Sequence, residues 1–365
     1  MSGTQRYAVI TGSGSYLPTR RIPNSYFHQH QFLDEEGNPF ERSPEEIVAR
    51  FTQITDIYER RYAKDEYVAS DLGYFAAKDA LDAAGTDGED LDYIIVAHNW
   101  GDITPEVRRA DQVPTVAARI KHKLGIANPY CVAYDLPFGC PGWVQGVIQA
   151  NYYIRSGDAQ KALVIGAETL SRVVDPHDRD SMIYADGAGA VVVEARESEE
   201  PVGIVSHLTR TDAKQHAYLL WQGVSYNKDL PKEEVFVKMH GHKLYKYALR
   251  HVPELVQATL EKADIHLSDV KKILIHQANA KMDEAIVSRL FKLYKEKYDP
   301  ESGLMPLTVP YLGNSSVATV PTLYDLIVRG NMKGHSLPDP GEWMVLASVG
   351  AGMHVNAVAY RMPGA

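Results

Sequence analysis

The sequence is poor in cysteine, because Cys131 and Cys140 are the only two among 365 residues. So few cysteines exclude a disulfide scaffold and favour a reducing compartment. Basic residues are also in the minority: 38 Lys and Arg stand against 47 Asp and Glu, for a formal net charge of -9. No basic stripe offsets this charge, so we expect no nucleic-acid partner.

Long hydrophobic runs are absent too. No uninterrupted apolar stretch approaches the length of a membrane span, and the start of the chain, MSGTQRYAVITGSGSYLP, lacks the basic flank and apolar run of a signal peptide. With 45% hydrophobic and 23% charged residues, the composition is that of a globular protein that can bury one large core or two medium ones. We therefore expect a cytoplasmic protein with no membrane span.

Predicted strands and helices alternate along the chain, which indicates an α/β protein with mostly parallel sheets. A strand followed by a Gly/Ser turn is predicted at 6–17. The remaining predicted strands are 91–99, 131–136, 161–168, 186–195, 202–210, 271–277, 342–352 and 354–362, and the predicted helices are 43–51, 70–85, 113–125, 140–157, 243–263, 280–294 and 315–330. Three polar stretches are typical of lids or docking loops: 28–42, 99–112 and 295–305.

Cys140 occupies an unusual place, in DLPFGCPGWVQG, between a short predicted strand and the first position of a predicted helix. There the unpaired backbone N–H groups and the positive end of the helix dipole favour a thiolate. The alternative is a small buried hydrophobic residue, which is the usual role of a free cysteine. This stretch alone leaves both interpretations open.

Three further segments place polar residues at the ends of predicted elements. His276, Gln277 and Asn279 follow a buried strand in ILIHQAN, and Asn314 precedes a helix in VPYLGNSSVATVP. LASVGAGMH is a Gly-rich turn between two strands. Each segment alone is ambiguous, since such residues are often structural and such turns are often plain hairpins.

Taken together, these segments resemble the β-ketoacyl–acyl-carrier-protein synthase III family. That family shows a nucleophilic Cys followed by a small residue and Gly, then an HQAN box, a GN[TS]S-x-A-[ST]-VP box and a terminal Gly-rich turn, in the order found here. The segments GSGSYLP, VVDPHDR and ADGAGAVVV match the family pattern as well. The resemblance covers nearly the whole chain.

The resemblance implies a thiolase fold: a five-layered αβαβα core built from two similar halves, here 1–200 and 201–365, and normally a homodimer. It implies a ketosynthase of fatty-acid or polyketide metabolism that joins a Cys-bound acyl group to a malonyl- or β-ketoacyl-carrier-protein thioester by Claisen condensation. No cofactor is expected, because phosphopantetheine of an acyl-carrier protein or CoA carries the substrates, and no metal is expected.

The implied catalytic trio is Cys140, His276 and Asn314. The cysteine holds the acyl group, while the imidazole and the amide are neutral donors for the enolate oxygen that forms on decarboxylation. The backbone N–H groups of Cys140 and Ala351 would form the oxyanion hole. Family positions that contact CoA or pantetheine correspond to Arg179, Gly241 and Asn279.

The sequence also departs from the family. Arg50 and Ile54 align where acetyl-CoA-primed members hold the adenine between Trp and Arg, which favours a carrier protein as donor. Phe138 and Pro141 alter the context of the nucleophile. Val113 aligns near an aromatic that partner subunits insert to shorten the acyl tunnel, which suggests room for a longer chain. These departures point to specialised synthases, including dialkylresorcinol (DarB-type) enzymes that cyclise the product.

Other functions stay open at this point. They are an acyltransferase to an oxygen or nitrogen nucleophile, a housekeeping initiation synthase, and a non-catalytic partner of a heteromeric synthase. The basic residues Arg108, Arg109 and Lys281 either form a solvated surface or dock an acidic carrier protein. The His-containing stretches 28–30 and 239–242 lack metal-ligand spacing.

Overall fold

The computed structural model describes residues 4–364. The helices are α1 (Pro44–Thr55), α2 (Ala69–Ala84), α3 (Val116–Leu124), α4 (Gly142–Ser156), α5 (Ala213–His216), α6 (Gly241–Glu261), α7 (Ala280–Leu293), α8 (Val309–Leu312) and α9 (Thr319–Val328). The strands are β1 (Gln5–Tyr16), β2 (Arg20–Pro23), β3 (Glu59–Tyr62), β4 (Tyr93–Ala97), β5 (Val132–Leu136), β6 (Lys161–Thr169), β7 (Asp186–Ser198), β8 (Gly203–Thr211), β9 (Leu220–Val224), β10 (Val235–Met239), β11 (Val270–Ile275), β12 (Trp343–Gly350) and β13 (His354–Arg361).

Five layers follow from how the apolar faces pack. One buried cluster joins α4 and α9 to the inner faces of a five-stranded sheet and a four-stranded sheet. A second cluster places α2 and α3 on the outer face of the five-stranded sheet, and a third places α6 and α7 on the outer face of the other. Because each sheet buries both faces under helices, the αβαβα arrangement that the resemblance implied is confirmed.

The two sheets repeat one topology. Their strand orders are β1-β7-β6-β4-β5 and β8-β13-β12-β11. In each sheet the first strand of the half pairs antiparallel with the last, and the next pair is antiparallel as well. The strand that follows is parallel to its neighbour, as β4 is to β6 and β11 is to β12. β4 and β11, each the second strand of its sheet in chain order, thus hold equivalent places.

The expectation of mostly parallel sheets is wrong, because both sheets are mixed. In each half the last two strands follow one another without a regular α-helix between them. The link between β12 and β13 is the three-residue turn 351–353, which is too short for the crossover that parallel strands need.

The predicted helix ends mostly agree with the structure. Ser43 caps α1 in a capping box with Glu46, and Gly85 ends α2 with a φ of 63°. The Gly/Ser turn predicted within 6–17 is wrong, since β1 runs through it. A Cβ on Gly12 would lie 2.5 Å from the carbonyl oxygen of Ala80. These glycines therefore let α2 approach the strand.

Two short antiparallel pairs, β2 with β3 and β9 with β10, were not predicted. The sequences of β2 and β3, RRIP and ERRY, are too polar to show a buried strand pattern, whereas β9 and β10 lie in a stretch to which no predicted element was assigned. Among the described residues, no helix is long and apolar enough to cross a membrane.

Candidate active site

The three residues of the expected trio lie at the ends of core elements. Cys140 lies between β5 and α4, and His276 directly follows β11. Asn314 lies between α8 and a short 3-10 turn, Ser316–Ala318, that leads into α9. The prediction that Cys140 opens the helix is wrong by two positions, because α4 begins at Gly142 with Pro141 as its N-cap.

The sulfur of Cys140 is largely enclosed. Burial raises the pKa of Cys140 to about 11, although the hydroxyl of Ser316 opposes the shift by donating a hydrogen bond to Sγ at 3.3 Å. The expected thiolate is therefore not the resting form at neutral pH. Burial has this effect because transfer of the sulfur from water disfavours its charged form.

His276 is buried among uncharged groups. This burial lowers the pKa of its imidazole to about 3, so the ring is neutral. Nδ1 lies 2.7 Å from Oγ1 of Thr319, and that hydroxyl is also 3.0 Å from the carbonyl oxygen of Ser316. The hydroxyl has one proton for two acceptors. When it donates to Nδ1, the imidazole proton is on Nε2, which can then donate to a substrate oxygen.

Asn314 is held by its backbone and its side chain. Its backbone N donates to the carbonyl of Ile183 at 3.0 Å, and its carbonyl accepts from the N–H of Ala185 at 2.9 Å. Its Oδ1 accepts from the backbone N of Ser316 at 2.8 Å, which fixes the amide orientation and leaves Nδ2 to donate elsewhere. Gln277 ties the His276 loop to the segment entering α8 by accepting from the N–H of Thr308 at 2.8 Å.

Ser316 joins all three residues, and sequence reasoning missed it. Its hydroxyl contacts Cys140, its N–H contacts Asn314, and its carbonyl reaches His276 through Thr319. The signal was available, since Ser316 is part of the GNSSVATVP box.

Two further residues behind Ser316 were also missed. Nδ2 of Asn99 donates both to Ser316 Oγ at 3.0 Å and to Oε2 of Glu168 at 2.6 Å. Glu168 is fully buried on β6, and burial raises the pKa of its carboxyl group to about 7. No motif marked either residue.

The Gly-rich turn lies against the nucleophile. A Cβ on Gly350 would lie 2.6 Å from the backbone N of Cys140, and one on Gly139 would lie 2.8 Å from the backbone N of Ala351. Only glycine permits this approach, and Gly139 also has a φ of 66°. The two N–H groups expected to form an oxyanion hole therefore belong to segments in direct contact.

The aromatic residue before the nucleophile also contacts this turn. The ring of Phe138 stacks on that of His354, with centroids 4.0 Å apart. This stack links the nucleophile loop to the start of β13, which is consistent with Phe138 reshaping the surroundings of the sulfur.

Two of the expected pantetheine contacts lie close together. Arg179 is exposed, with its guanidinium over the ring of Phe40 at 4.9 Å. Its neighbour Asp180 approaches Gly241, the first residue of α6. Asn279 caps α7 by accepting from the N–H of Met282 at 2.9 Å, so its Oδ1 already has a structural partner.

The three basic residues considered for carrier docking are on the surface, and two of them have acidic neighbours. Lys281 forms an ion pair with Asp56 at 2.8 Å, and Arg108 lies 3.9 Å from Glu234. Arg109 is exposed on the same loop as Arg108. Such exposed pairs contribute little and can exchange partners.

Comparisons with known proteins agree on one family. Residues 134–213 match the model of 3-oxoacyl-[acyl-carrier-protein (ACP)] synthase III, and residues 260–362 match its C-terminal part. The chain is 36% identical over 324 residues to beta-ketoacyl-[acyl-carrier-protein] synthase III 1 of Vibrio vulnificus (strain YJ016), covering 88% of this chain and 91% of that protein.

Solved structures agree. The chain superposes on 3-oxoacyl-(acyl carrier protein) synthase III of Pseudomonas aeruginosa PAO1 with a TM-score of 0.79 at 26% identity, covering 98% of this chain and 99% of that one. It superposes on the priming beta-ketosynthase from the R1128 polyketide biosynthetic pathway with a TM-score of 0.80 at 25% identity, covering 99% and 98%. With this identity over most of its length and these motifs in place, the chain belongs to the 3-oxoacyl-acyl-carrier-protein synthase III family of condensing enzymes.

Proposed function

We propose that this enzyme condenses an acyl group held on Cys140 with a carrier-bound malonyl or β-ketoacyl thioester. The observation that carries the proposal is the connection of Cys140, His276 and Asn314 through Ser316. One nucleophilic sulfur and two neutral donors thereby belong to a single hydrogen-bonded unit.

In the loading step, Sγ of Cys140 attacks the thioester carbonyl, and the phosphopantetheine thiolate leaves. The thiol proton ends on the departing sulfur, so no net charge is created. The backbone N–H groups of Cys140 and Ala351 stabilise the tetrahedral oxyanion. Because the resting sulfur is a thiol, its deprotonation accompanies substrate binding.

In the condensation step with malonyl thioester, the carboxylate leaves as carbon dioxide, and its electron pair forms an enolate. Nε2–H of His276 and Nδ2 of Asn314 donate to the enolate oxygen. The enolate carbon then attacks the acyl carbonyl on Cys140, and the sulfur leaves. The imidazole can serve as a neutral donor because burial keeps it uncharged. No cofactor is required beyond the phosphopantetheine arm.

Carrier protein is the proposed donor of both substrates. Arg50 and Ile54 are exposed on α1, where the family's adenine clamp is expected, and Ile54 is 61% exposed. An isoleucine offers no stacking surface, and this loss weakens CoA binding by about 1 kcal/mol. Arg108, Arg109, Lys281 and Arg179 instead supply positive charge for an acidic carrier.

A homodimer is also proposed. Strand β5 is at an open edge of its sheet, and the residues near it, Tyr130 and Val132, are 86% and 48% exposed. An apolar open edge of this kind pairs readily with another chain. Val113, 86% exposed, would then project toward the partner and leave room for medium-length acyl chains. Sedimentation of the protein at several concentrations tests the dimer.

We place the reaction in specialised fatty-acid or polyketide metabolism, with cyclisation of the product as a further step. The changed nucleophile context at Phe138 and Pro141 supports this placement, as does the similarity to the R1128 priming ketosynthase. Product analysis by mass spectrometry distinguishes a linear β-keto product from a cyclised one.

The test combines acyl-carrier and malonyl-carrier thioesters with the enzyme and measures carbon dioxide release. Release that depends on prior acylation of Cys140 supports condensation, whereas acyl transfer without release indicates an acyltransferase. No acylation at all would indicate a non-catalytic partner.

The donor is tested by comparing loading from medium-chain acyl-carrier thioester with loading from acetyl-CoA. We expect the carrier thioester to load several-fold faster, with an advantage that shrinks as salt rises. Lys281→Glu should reduce that advantage, while Arg289→Glu, an exposed change farther along α7, is the matched control. Equal loading rates from the two donors that do not change with salt would instead indicate a housekeeping initiation synthase.

A further inference from the structure

Ser316 is in an unusual backbone conformation. Its φ is 54°, in the left-handed region that serine seldom occupies, and its side chain is buried. Its N–H donates to Oδ1 of Asn314 at 2.8 Å, and this bond holds the conformation. This backbone turns the Ser316 hydroxyl toward Cys140.

The hydrogen-bond pattern fixes which way the hydroxyl proton points. The side-chain N–H group of Asn99 can only donate, and it directs one proton to Glu168 and one to Ser316 Oγ. Glu168 holds Asn99 a second time, by accepting from its backbone N–H at 3.2 Å. Since Ser316 Oγ accepts from Asn99, its own proton is directed at Sγ of Cys140, 3.3 Å away.

We infer that Ser316 is a further catalytic residue, whose hydroxyl stabilises the Cys140 thiolate when the sulfur attacks the incoming thioester and again when it leaves. Asn99 is a positioning residue, which Glu168 holds in place. This role rests on the proposed function, since it assumes that Cys140 is the nucleophile.

The inference assigns a task that the rest of the site does not perform. Glu168 is an ionisable group near the sulfur, and its negative charge opposes the formation of a thiolate there. Ser316 is the side chain that donates to Sγ within the described part of the chain. Hydrogen bonds to charged groups are stronger than those between neutral groups, so this donor favours the thiolate over the thiol.

The test is the rate at which iodoacetamide alkylates Cys140, followed by peptide mass spectrometry across pH 6 to 10. In Ser316→Ala we expect alkylation to be about tenfold slower and its pH profile to move to higher pH, since about one pKa unit corresponds to one hydrogen bond to a charged group. Ser316→Gly should behave in the same way, while also relieving the left-handed backbone.

Ser315→Ala is the matched control, because Ser315 is the preceding buried serine and has an ordinary φ of -90°. Its alkylation rate and profile should equal those of the wild type. Asn99→Ala should slow alkylation in the same direction by a smaller factor, and it should also lower the melting temperature because Glu168 loses a hydrogen-bond donor. The rates are therefore compared well below the melting temperature of each variant. Wild-type rates and profiles in both Ser316 variants would overturn the inference, and wild-type behaviour of Asn99→Ala would remove its positioning role.

Alkylation needs no carrier protein and no malonyl thioester. A shifted profile in Ser316→Ala with no detectable condensation in the wild type would contradict the proposed function alone. Normal condensation with an unshifted profile would contradict the role of Ser316 alone.

Discussion

His98 and His276 occupy equivalent places in the two halves of the molecule. Each directly follows the second strand of its sheet in chain order, β4 or β11, and each is buried. Their surroundings differ. Nε2 of His98 lies 2.9 Å from the carboxylate of Asp135, and its Nδ1 accepts from the N–H of Gly101. Among residues 4–364, the imidazole ring of His276 has only the hydroxyl of Thr319 as a hydrogen-bond partner.

This difference in surroundings shifts the pKa values of the two imidazoles in opposite directions. Burial opposes the charge of His98, but the hydrogen bond and charge of Asp135 outweigh it and raise the pKa of His98. Burial without a carboxylate lowers the pKa of His276 to about 3. One place in a repeated topology thus holds an imidazole paired with a carboxylate in the first half and a neutral imidazole in the second. The protonation state of each imidazole therefore depends on whether a carboxylate lies beside it.

The last α-helix of each half, α4 or α9, also begins beside residues of the site. Cys140 precedes α4, and Asn314 and Ser316 precede α9, so the two helices of the central layer both begin at the site. In the proposed mechanism the first half contributes the nucleophile and the second half contributes the donors.

The largest expected difference is in acyl loading, between variants of the two cysteines of the first half. Cys140→Ala should abolish acyl loading and leave the fold intact, because the sulfur is the attacking atom. Cys131→Ala, the matched control, removes a buried sulfur beside β5 and should keep loading. Intact-protein mass spectrometry after incubation with acyl-carrier thioester measures both. Acylation of Cys140→Ala at a comparable rate would make the nucleophile assignment wrong.

The two histidines can be separated by substitution. His276→Ala should load Cys140 but lose condensation by about 100-fold or more, the usual effect of removing one oxyanion donor. His98→Ala should keep condensation and instead lower the melting temperature, because Asp135 loses a partner. Condensation rates and thermal unfolding provide the two readouts. The reverse pattern would show that the catalytic imidazole belongs to the first half.

As pH falls, the two histidines should change the free energy of unfolding in opposite directions. Between pH 6.5 and about 3 the unfolded state binds a proton at His276 that the folded state does not, so this residue lowers stability as pH falls. Between pH 7 and 5, His276→Gln should therefore lose about 2 kcal/mol less unfolding free energy than the wild type.

For His98 the folded pKa is raised, so its stabilisation is present below its unfolded pKa and is lost as pH rises through its folded pKa. His98→Gln should therefore lose more stability than the wild type on acidification. Urea unfolding at pH 7 and pH 5 measures both changes, and parallel behaviour of the two variants would refute the contrast.

Substitution of Thr319, the hydrogen-bond partner of His276, should have the smallest effect on the condensation rate. Thr319→Val removes the hydroxyl that sets the imidazole proton and should slow condensation about three- to tenfold, the net contribution of one neutral hydrogen bond. Thr319→Ser keeps the hydroxyl and should retain most activity. Single-turnover condensation from preloaded enzyme isolates this step. Equal rates in Thr319→Val and the wild type would show that Thr319 has no such role.

The sequence was sufficient to predict the fold. The catalytic trio of Cys140, His276 and Asn314 stays a prediction, although hydrogen bonds through Ser316 connect its three members. Alternating apolar segments gave most helices and strands, because burial imposes their periodicity. The motifs mark the trio because each residue follows or precedes a core element whose end has a distinctive local sequence.

The rest depends on contacts that local sequence does not encode. Asn99 forms hydrogen bonds to Glu168, 69 residues away in sequence, and to Ser316, 217 residues away. No sequence pattern connects these three residues. The charge state of Cys140 was predicted wrongly because burial is a property of the assembled core, whereas the helix N-terminus is visible locally. The prediction of mostly parallel strands was also wrong, because a link without an α-helix is hard to distinguish in the sequence from a crossover connection.

The most direct test of the account uses Asn314→Ala and the wild type, each preloaded with an acyl group on Cys140. Labelled malonyl-carrier thioester is then added, and carbon dioxide release is measured in a single turnover. We expect both proteins to load normally, while release falls by about 100-fold or more in Asn314→Ala, because only the enolate step needs the amide donor. Release at the wild-type rate from the loaded variant would contradict the assignment of Asn314 and with it the division of the site between the two halves.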